Sequence, residues 1–365
     1  MKILFLTDNY PPEINAPANR THEHAKAWVK NPNVEVTIIT SFPNHPYGKI
    51  YDGYKNKIFS KEKIDGINVI RVWTYMSSNS GVFRRIFDYL SFAFMSFCIG
   101  LFQKSDIIIA TSPQFFTTWS ACLLSKIKRV PWIFELRDLW PESIKSVGAI
   151  TNKSIIKFLE IIELSLYKSA SKIIVVTESF KSDLISRNID SKKIHVVYNG
   201  VNSKLFKPMK KSDELLEKYS LKNKIVIGYV GTHGMAHNLD FIINSAKKIN
   251  RKDIHFLFVG DGAMKSHLVA LAKKHKLQNV TFEKSVQRNE VDKYLALSDI
   301  SLINLKKDKA FKKVIPSKIF EASAMKIPVL LGVEGEAKKL VEKYHSGLCF
   351  KPNDEVDFIN KLYIL

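Results

Sequence analysis

The chain has 365 residues, 45% of them hydrophobic and 11% aromatic, with 56 Lys and Arg against 35 Asp and Glu for a formal charge of +21. That much apolar material excludes a mainly disordered chain, and the length suits two domains of roughly 180 residues better than one. The positive balance calls for an anionic partner, with nucleic acid, anionic lipid and phosphorylated substrates as the open classes.

The first apolar run, Ile3 to Thr7, meets Asp8 and Pro11-Pro12 at once, so it is too short for a signal peptide and reads as a buried strand. The loop that follows, Pro11 to Arg20, falls where doubly wound sheets bind ligands, beyond the carboxyl end of a strand. Glu13 and Arg20 are therefore candidates for a phosphate or acceptor contact, Arg20 from the start of the next helix. Short β-branched runs then recur at Val34 to Ile39, Ile67 to Val72, Ile107 to Ala110, Trp132 to Leu136, Ile173 to Val176 and Ile194 to Val197, with helical stretches between them. Strands buried on both faces and alternating with helices imply a parallel doubly wound α/β sheet.

Within this half, Tyr89 to Phe102 carries no charge over fourteen residues and is flanked by Arg84, Arg85 and Lys104. It is too short to span a bilayer, which leaves a helix packed on the sheet or one lying in the plane of an anionic lipid surface. Further on, Phe134-Glu135-Leu136-Arg137-Asp138-Leu139-Trp140-Pro141-Glu142-Ser143 closes a strand with more charge than a connection needs. Arg137 and Asp138 are the catalytic candidates there, and a purely structural ion pair is the other reading.

A polar, lysine-rich stretch from 199 to 224 reads as a linker between domains 1–198 and 225–365. The strand rhythm restarts at Ile225 to Val230, His255 to Val259, Val280 to Phe282, Ile300 to Ile303, Val329 to Leu331 and Leu348 to Phe350, with helices such as Leu239 to Ile249 and Met264 to His275. Two Rossmann-like domains facing a central cleft is the expected architecture. In the second, Gly228-Tyr229-Val230-Gly231-Thr232-His233-Gly234 leaves a strand through glycines that let backbone N–H groups approach a diphosphate, or that only make a tight turn. Pro316-Ser317 looks like a helix start, which puts Lys318 in the first turn and Glu321 one turn later on the same side. A phosphate for Lys318 and a ribose diol for Glu321 is one reading, a solvated ion pair the other. Cys98, Cys122 and Cys349 are widely spaced with no zinc pattern, so a reduced compartment and no metal are expected.

Together PPEINAPANR at 11–20, ELRDLWPES at 135–143, VYNGVN at 197–202, GYVGTHGMAHNLD at 228–240, FVGDG at 258–262 and PSKIFEASAMKIPVLLGVEGEA at 316–337 resemble glycosyltransferase family 4, with its GT-B fold. Among its branches the chain is most similar to bacterial O-antigen and capsule transferases of the N-acetyl-L-fucosamine type. The resemblance implies a retaining, metal-independent transfer from a UDP-sugar, its sugar an N-acetylated hexosamine or deoxyhexosamine, with no cofactor. The acceptor it implies is a sugar linked to undecaprenyl diphosphate, reached by a cytoplasmic enzyme lying peripherally on the inner face of the plasma membrane through basic patches and the 84–104 segment.

The resemblance also places Gly231, Thr232, His233, His237, Lys318, Glu321 and Glu336 in donor binding. Glu321 matches the family's ribose-binding glutamate, the second of a pair seven residues apart, and the first falls on Lys313. The basic pair usual after the first strand of this domain falls near Thr232 or His233 and on His237, so Lys318, Arg20, backbone amides and protonated histidine are expected to meet the phosphate charge. Family members usually continue into a helix crossing back to the first domain, which this chain is expected to lack. A GT-B UDP-sugar epimerase is the rival enzyme class, and dispersed lysines disfavour nucleic acid.

Overall fold

The computed structural model describes residues 1–45, 48–77, 82–112, 115–139 and 152–365. The Trp140 to Ser143 end of the charged motif lies outside them. The chain divides into two compact units, Met1–Tyr198 and Asn199–Leu365.

In the first unit, β1 (Lys2–Leu6), β2 (Glu35–Ser41), β3 (Phe59–Ile64), β4 (Ile67–Val72), β5 (Ile107–Thr111), β6 (Trp132–Leu136), β7 (Lys172–Val175) and β8 (Ile194–Val196) form one sheet in the order β3-β4-β2-β1-β5-β6-β7-β8. Every neighbouring pair is parallel except β3 with β4. The helices are α1 (Ala16–Trp28), α2 (Val82–Leu101), α3 (Phe115–Lys128), α4 (Lys153–Ser169) and α5 (Glu178–Ser186). Phe5, Val36, Ile38 and Val69 bury one sheet face with Ala25 of α1, while Trp28 packs against that cluster.

The uncharged stretch beginning at Tyr89 is the body of α2. Its small side chains point inward: Ala93 and Ser96 are buried, Ser120 Oγ of α3 donates to the Ala93 carbonyl at 2.5 Å, and a Cβ added to Gly100 would lie 2.6 Å from Leu124. The end of α2 is capped from α3, whose Lys128 Nζ donates to the Leu101 and Gln103 carbonyls at 2.8 Å each. Among the described residues, no helix is long and apolar enough to cross a membrane.

The second sheet contains β9 (Ile225–Val230), β10 (Ile254–Val259), β11 (Val280–Glu283), β12 (Ile300–Asn304), β13 (Val329–Gly332) and β14 (Gly347–Cys349), all parallel, in the order β11-β10-β9-β12-β13-β14. Its helices are α6 (Asp213–Lys218), α7 (Leu239–Ala246), α8 (Lys265–Lys274), α9 (Val291–Ala296), α10 (Lys318–Ala324), α11 (Glu336–Lys343) and α12 (Glu355–Ile364). Strand order reverses between β9 and β12, which opens a crevice at their carboxyl ends.

Residues 199–224, read as a linker, fold with this unit. Phe206 is fully buried in the cluster of Ile303, Ile319 and Leu331, and Leu221 is buried with Val226, Leu257 and Val259. Lysines on the outside of this stretch give it the composition of a tether, while two well-spaced apolar residues hold it to the sheet.

Candidate active site

The loop after β9 is held by its neighbour after β10. The amides of Gly231 and His233 donate to the carbonyls of Val259 and Asp261 at 2.8 Å each, so the backbone cradle expected here keeps only Thr232 and Gly234 as donors free of these ladders. The approach is close enough that a Cβ on Gly260 would sit 1.9 Å from the Gly231 carbonyl oxygen.

Lys318, the first residue of α10, lies across this loop. Its Nζ donates to Tyr229 Oη at 3.1 Å and stands 4.3 Å from the centre of that ring, and Tyr229 Oη in turn donates to the Thr232 carbonyl at 2.7 Å. Burial lowers the amine to a pKa of about 8, partly offset by Glu321. Gly231, at φ +140°, makes room for it: an added Cβ would fall 2.5 Å from Lys318 Cε and 2.8 Å from Nζ. Gly231→Ala is expected to displace this amine and to cost roughly 1–3 kcal/mol of stability from backbone strain. Urea denaturation of the variant would check it, a midpoint equal to the parent's counting against the contact.

His233 and His237 stack beside Tyr229, with ring centres 5.7 and 6.0 Å away. Protonated histidine, one of the groups expected to meet phosphate charge beside Lys318, Arg20 and backbone amides, is disfavoured by this packing. Burial, reinforced by Lys265 and Lys318, pushes His233 down to about 3, and burial with Lys318 pushes His237 well below the usual range. Both rings are neutral near pH 7. His233 is fully buried with neither ring nitrogen hydrogen-bonded to the protein, so it serves chiefly as a packing plane between Tyr229, Phe258 and Phe282.

Glu321, one turn along α10, accepts from Arg288 Nη1 at 3.0 Å, and Arg288 lies 4.7 Å above the Phe206 ring. Glu336 opens α11 after β13, on the same carboxyl edge, with Lys339 at 3.9 Å. Lys313 ends the short turn Ala310–Lys313, and the carbonyl of Lys312 in that turn lies against Gly335. Sequence reading missed Tyr229, Lys265 and Arg288. Lys265 was visible as the cation following Gly260-Asp261-Gly262; its Nζ donates to the carbonyls of Gly260, at 2.7 Å, and Glu283.

In the first unit the candidates divide between two places. Glu13 is buried between loops: Oε1 accepts the N–H groups of Asn44 and His45 at 2.8 Å each, Oε2 has no partner, and burial raises its pKa to about 7 against those bonds. The other candidates gather at the end of β6. Arg20 Nε donates to Glu135 Oε1 at 2.9 Å, while its Nη1 and Nη2 donate to the carbonyls of Tyr198 and Val197 at 3.3 and 3.2 Å. Arg20, expected at a phosphate, is thus only 8% exposed and its guanidinium is engaged by protein acceptors. Burial raises the Glu135 carboxyl, but Arg20 and Arg137 outweigh it and hold the group below its ordinary value.

Arg137 and Asp138 follow directly, their N–H groups donating to Ser112 Oγ at 2.8 and 3.3 Å. Arg137 Nη1 is buried with no protein partner, and burial, opposed by Arg137, lifts Asp138 to about 6. A guanidinium nitrogen left unpaired in a buried place is suited to an anionic or hydroxylated ligand. Glu135 was missed as a partner, although a carboxylate inside the apolar run Trp132-Ile133-Phe134-Glu135-Leu136 signalled a buried ion pair. Among the described residues there is no cluster of three or more His, Cys, Asp or Glu able to hold a metal ion.

Two Escherichia coli (strain K12) and Bacillus subtilis (strain 168) proteins, both bearing putative names, are similar: colanic acid biosynthesis glycosyl transferase WcaI, 24% identical over 353 residues (94% of this chain, 84% of that protein), and teichuronic acid biosynthesis glycosyltransferase TuaH, 28% identical over 206 residues. The second match spans 54% of this chain and about half, 49%, of that protein. Among solved structures, sucrose-phosphate synthase from Thermosynechococcus elongatus superposes with a TM-score of 0.75 at 14% identity, covering 100% of this chain and 89% of that one. Anabaena Alr3699/HepE in complex with UDP and glucose superposes with 0.70 at 16%, covering 99% and 88%. At such identities the likeness is one of fold, and that fold is GT-B. The profile of Glycosyl transferases group 1 matches residues 211–364, over the second unit. That of Glycosyltransferase Family 4 matches residues 18–205, more than half of the 365, and the chain belongs to this family.

Proposed function

We propose that this glycosyltransferase takes a sugar from a UDP-sugar held by the second unit and passes it to a lipid-diphosphate-linked sugar held by the first, in the synthesis of a surface polysaccharide. The observation that carries the donor half is Lys318: a half-buried amine, placed by Tyr229 against the Gly231 loop, whose hydrogen bond goes to a phenol and not to a carboxylate. A diphosphate there supplies the missing countercharge. Relatives support a UDP-sugar donor and a biosynthetic setting, since Alr3699/HepE is solved with UDP-glucose and WcaI and TuaH are named for colanic acid and teichuronic acid biosynthesis.

In the proposed reaction the bond from the anomeric carbon to the β-phosphate oxygen breaks, both electrons leaving with UDP. The acceptor oxygen bonds to that carbon on the same face, and its proton passes to the departing phosphate. Lys318 stabilises the negative charge that grows on the diphosphate, with the Thr232 and Gly234 amides as further donors and no metal required. Glu321, oriented by Arg288, accepts hydrogen bonds from the ribose hydroxyls. Arg137 and Asp138 orient the acceptor through the unpaired guanidinium nitrogen and the neighbouring carboxyl.

The test is a panel of UDP-sugars, N-acetylated hexosamines and deoxyhexosamines among them, each with and without an undecaprenyl-diphosphate-linked sugar. UDP release that requires the acceptor supports transfer; release indifferent to it overturns the reading. Glu321→Ala is expected to weaken UDP binding about 10-fold or more, the scale of hydrogen bonds to a charged group. Unchanged affinity by isothermal titration would remove Glu321 from the ribose.

A further inference from the structure

Two buried polar atoms at the end of β6 have no hydrogen bond to the protein. Arg137 Nη1 is a donor and Glu135 Oε2 an acceptor. Buried polar groups are nearly always paired, so two orphans of opposite kind on residues so near in the chain call for one explanation.

Both side chains are held from elsewhere. Glu135 is turned toward α1: its Oε1 accepts from Arg20 Nε at 2.9 Å, and His24 Nδ1 lies 3.8 Å from the same oxygen. Arg20 is tied in turn to the carbonyls of Tyr198 and Val197, which fixes the carboxyl group with Oε2 left over. Arg137 is held through its backbone, because Ser112 Oγ, just past β5, accepts its N–H and that of Asp138 at 2.8 and 3.3 Å. Ser112 is itself buried. Burial disfavours both charges, and each offsets part of that in the other, so the two lie within electrostatic reach. Even so, Nη1 and Oε2 are not bonded to each other, although a guanidinium and a carboxylate gain more from pairing than neutral groups do.

The chemistry selects the ligand. An anion would be repelled by Glu135, and a cation by Arg20 and Arg137. A neutral group that accepts from the guanidinium and donates to the carboxylate satisfies both atoms at once, and an alcohol does this through one oxygen. Arg137 and Asp138 are only half-buried, so the pair is approached from the carboxyl edge of the sheet, where doubly wound folds bind ligands.

We infer that Glu135 and Arg137 bracket a hydroxyl of the acceptor sugar, Arg137 Nη1 donating to its oxygen and Glu135 Oε2 accepting its hydrogen bond. This hydroxyl neighbours the attacking one, whose own proton goes to the departing phosphate. Glu135 thereby selects against an acceptor sugar deoxygenated at that position. The inference rests on the reading that the first unit holds the acceptor.

Crystals of the full chain soaked in glycerol, a small polyol probe, test the bracket without a transfer assay. One glycerol oxygen is expected within hydrogen-bonding distance of both Arg137 Nη1 and Glu135 Oε2. The two atoms bonded to each other, or to water only in the presence of glycerol, would overturn the inference. Glu135→Gln carries the test to the acceptor. Arg20 Nε keeps the amide oxygen at the Oε1 position, so a donor replaces the acceptor at Oε2. With the lipid-diphosphate-linked sugar that supports transfer, KM for that acceptor is expected to rise at least ~10-fold. UDP affinity by isothermal titration should stay at the parent value, and circular dichroism matching the parent's reports an intact fold. On the parent enzyme, which needs no substitution to fold, one mono-deoxy analogue of the acceptor is expected to lose the same factor. An unchanged acceptor KM in the folded variant, or full activity with every mono-deoxy analogue, would remove Glu135 from the acceptor and leave glycerol as an adventitious additive only. UDP release that never depends on acceptor would overturn the transfer reading instead, and the glycerol result would still decide whether the pair takes a hydroxyl.

Discussion

Lys318→Ala is expected to lower kcat/KM for the donor by roughly 10²–10³-fold, the cost of removing one fixed charge-stabilising donor from a transition state. The size follows from placement. The amine is held by a phenol and a ring face beside a loop whose histidines are neutral, so little positive charge stands in for it. Its depressed pKa adds a signature that mere loss of packing would not produce. In the free enzyme the amine gives up its proton as pH rises through about 8, so kcat/KM should fall above that value. Lys318→Arg should move this limb to higher pH, because guanidinium stays charged. Stability should run the other way: between about 8 and 10.4 the unfolded chain holds more protons at this site than the folded one, so stability is gained as pH rises through that window. An alkaline limb that is identical in the parent and Lys318→Arg would exclude the amine from the phosphate.

Arg20→Ala should instead unfold the first unit more readily, by about 3–5 kcal/mol, with little specific to donor binding. It would leave Glu135, buried at the end of β6, without the nitrogen 2.9 Å away, and would remove the hydrogen bonds that Arg20 gives the carbonyls of Val197 and Tyr198. His24 cannot replace the charge. Its Nδ1 lies 3.8 Å from Glu135, but burial, the largest influence on it and one that does not depend on Arg20, lowers its pKa. Replacing both partners, Arg20→Met with Glu135→Leu, should recover much of the loss, since the desolvation cost of both ions disappears together. Denaturation midpoints of the single and double variants give the comparison. A loss below about 1 kcal/mol in Arg20→Ala would put this contact in the class of exposed ion pairs.

The parallel strands were legible because burial on both faces leaves apolar runs that no helix period explains. β3, Phe59-Ser60-Lys61-Glu62-Lys63-Ile64, was not legible: it pairs only with β4 at the sheet edge, alternates exposed and half-buried positions, and carries three charges in six residues. The site divides in the same way. Gly231, Lys318 and Glu321 show themselves through local chemistry, a glycine after a strand and charges one turn apart. Tyr229 and Arg288 gain their roles from partners 89 and 33 residues distant, which no local pattern encodes. The charge of His233 and His237 was not legible, because protonation depends on the burial and cations that folding brings to them.

The burial of Phe206 changes what can be altered in the stretch that precedes the second sheet. A tether accepts inserted residues, because nothing depends on its register. Here the ring of Phe206 sits beneath Arg288, and Arg288 holds Glu321, so inserting even one residue beside Phe206 would rotate the ring out of its seat and loosen the grip on the glutamate. Natural length variation between Asn199 and Phe206 should therefore be rare wherever an arginine occupies the position of Arg288, and free where another residue replaces it. A stretch with the composition of a spacer thus behaves as a measured strut, its length set by a side chain it meets more than eighty positions later.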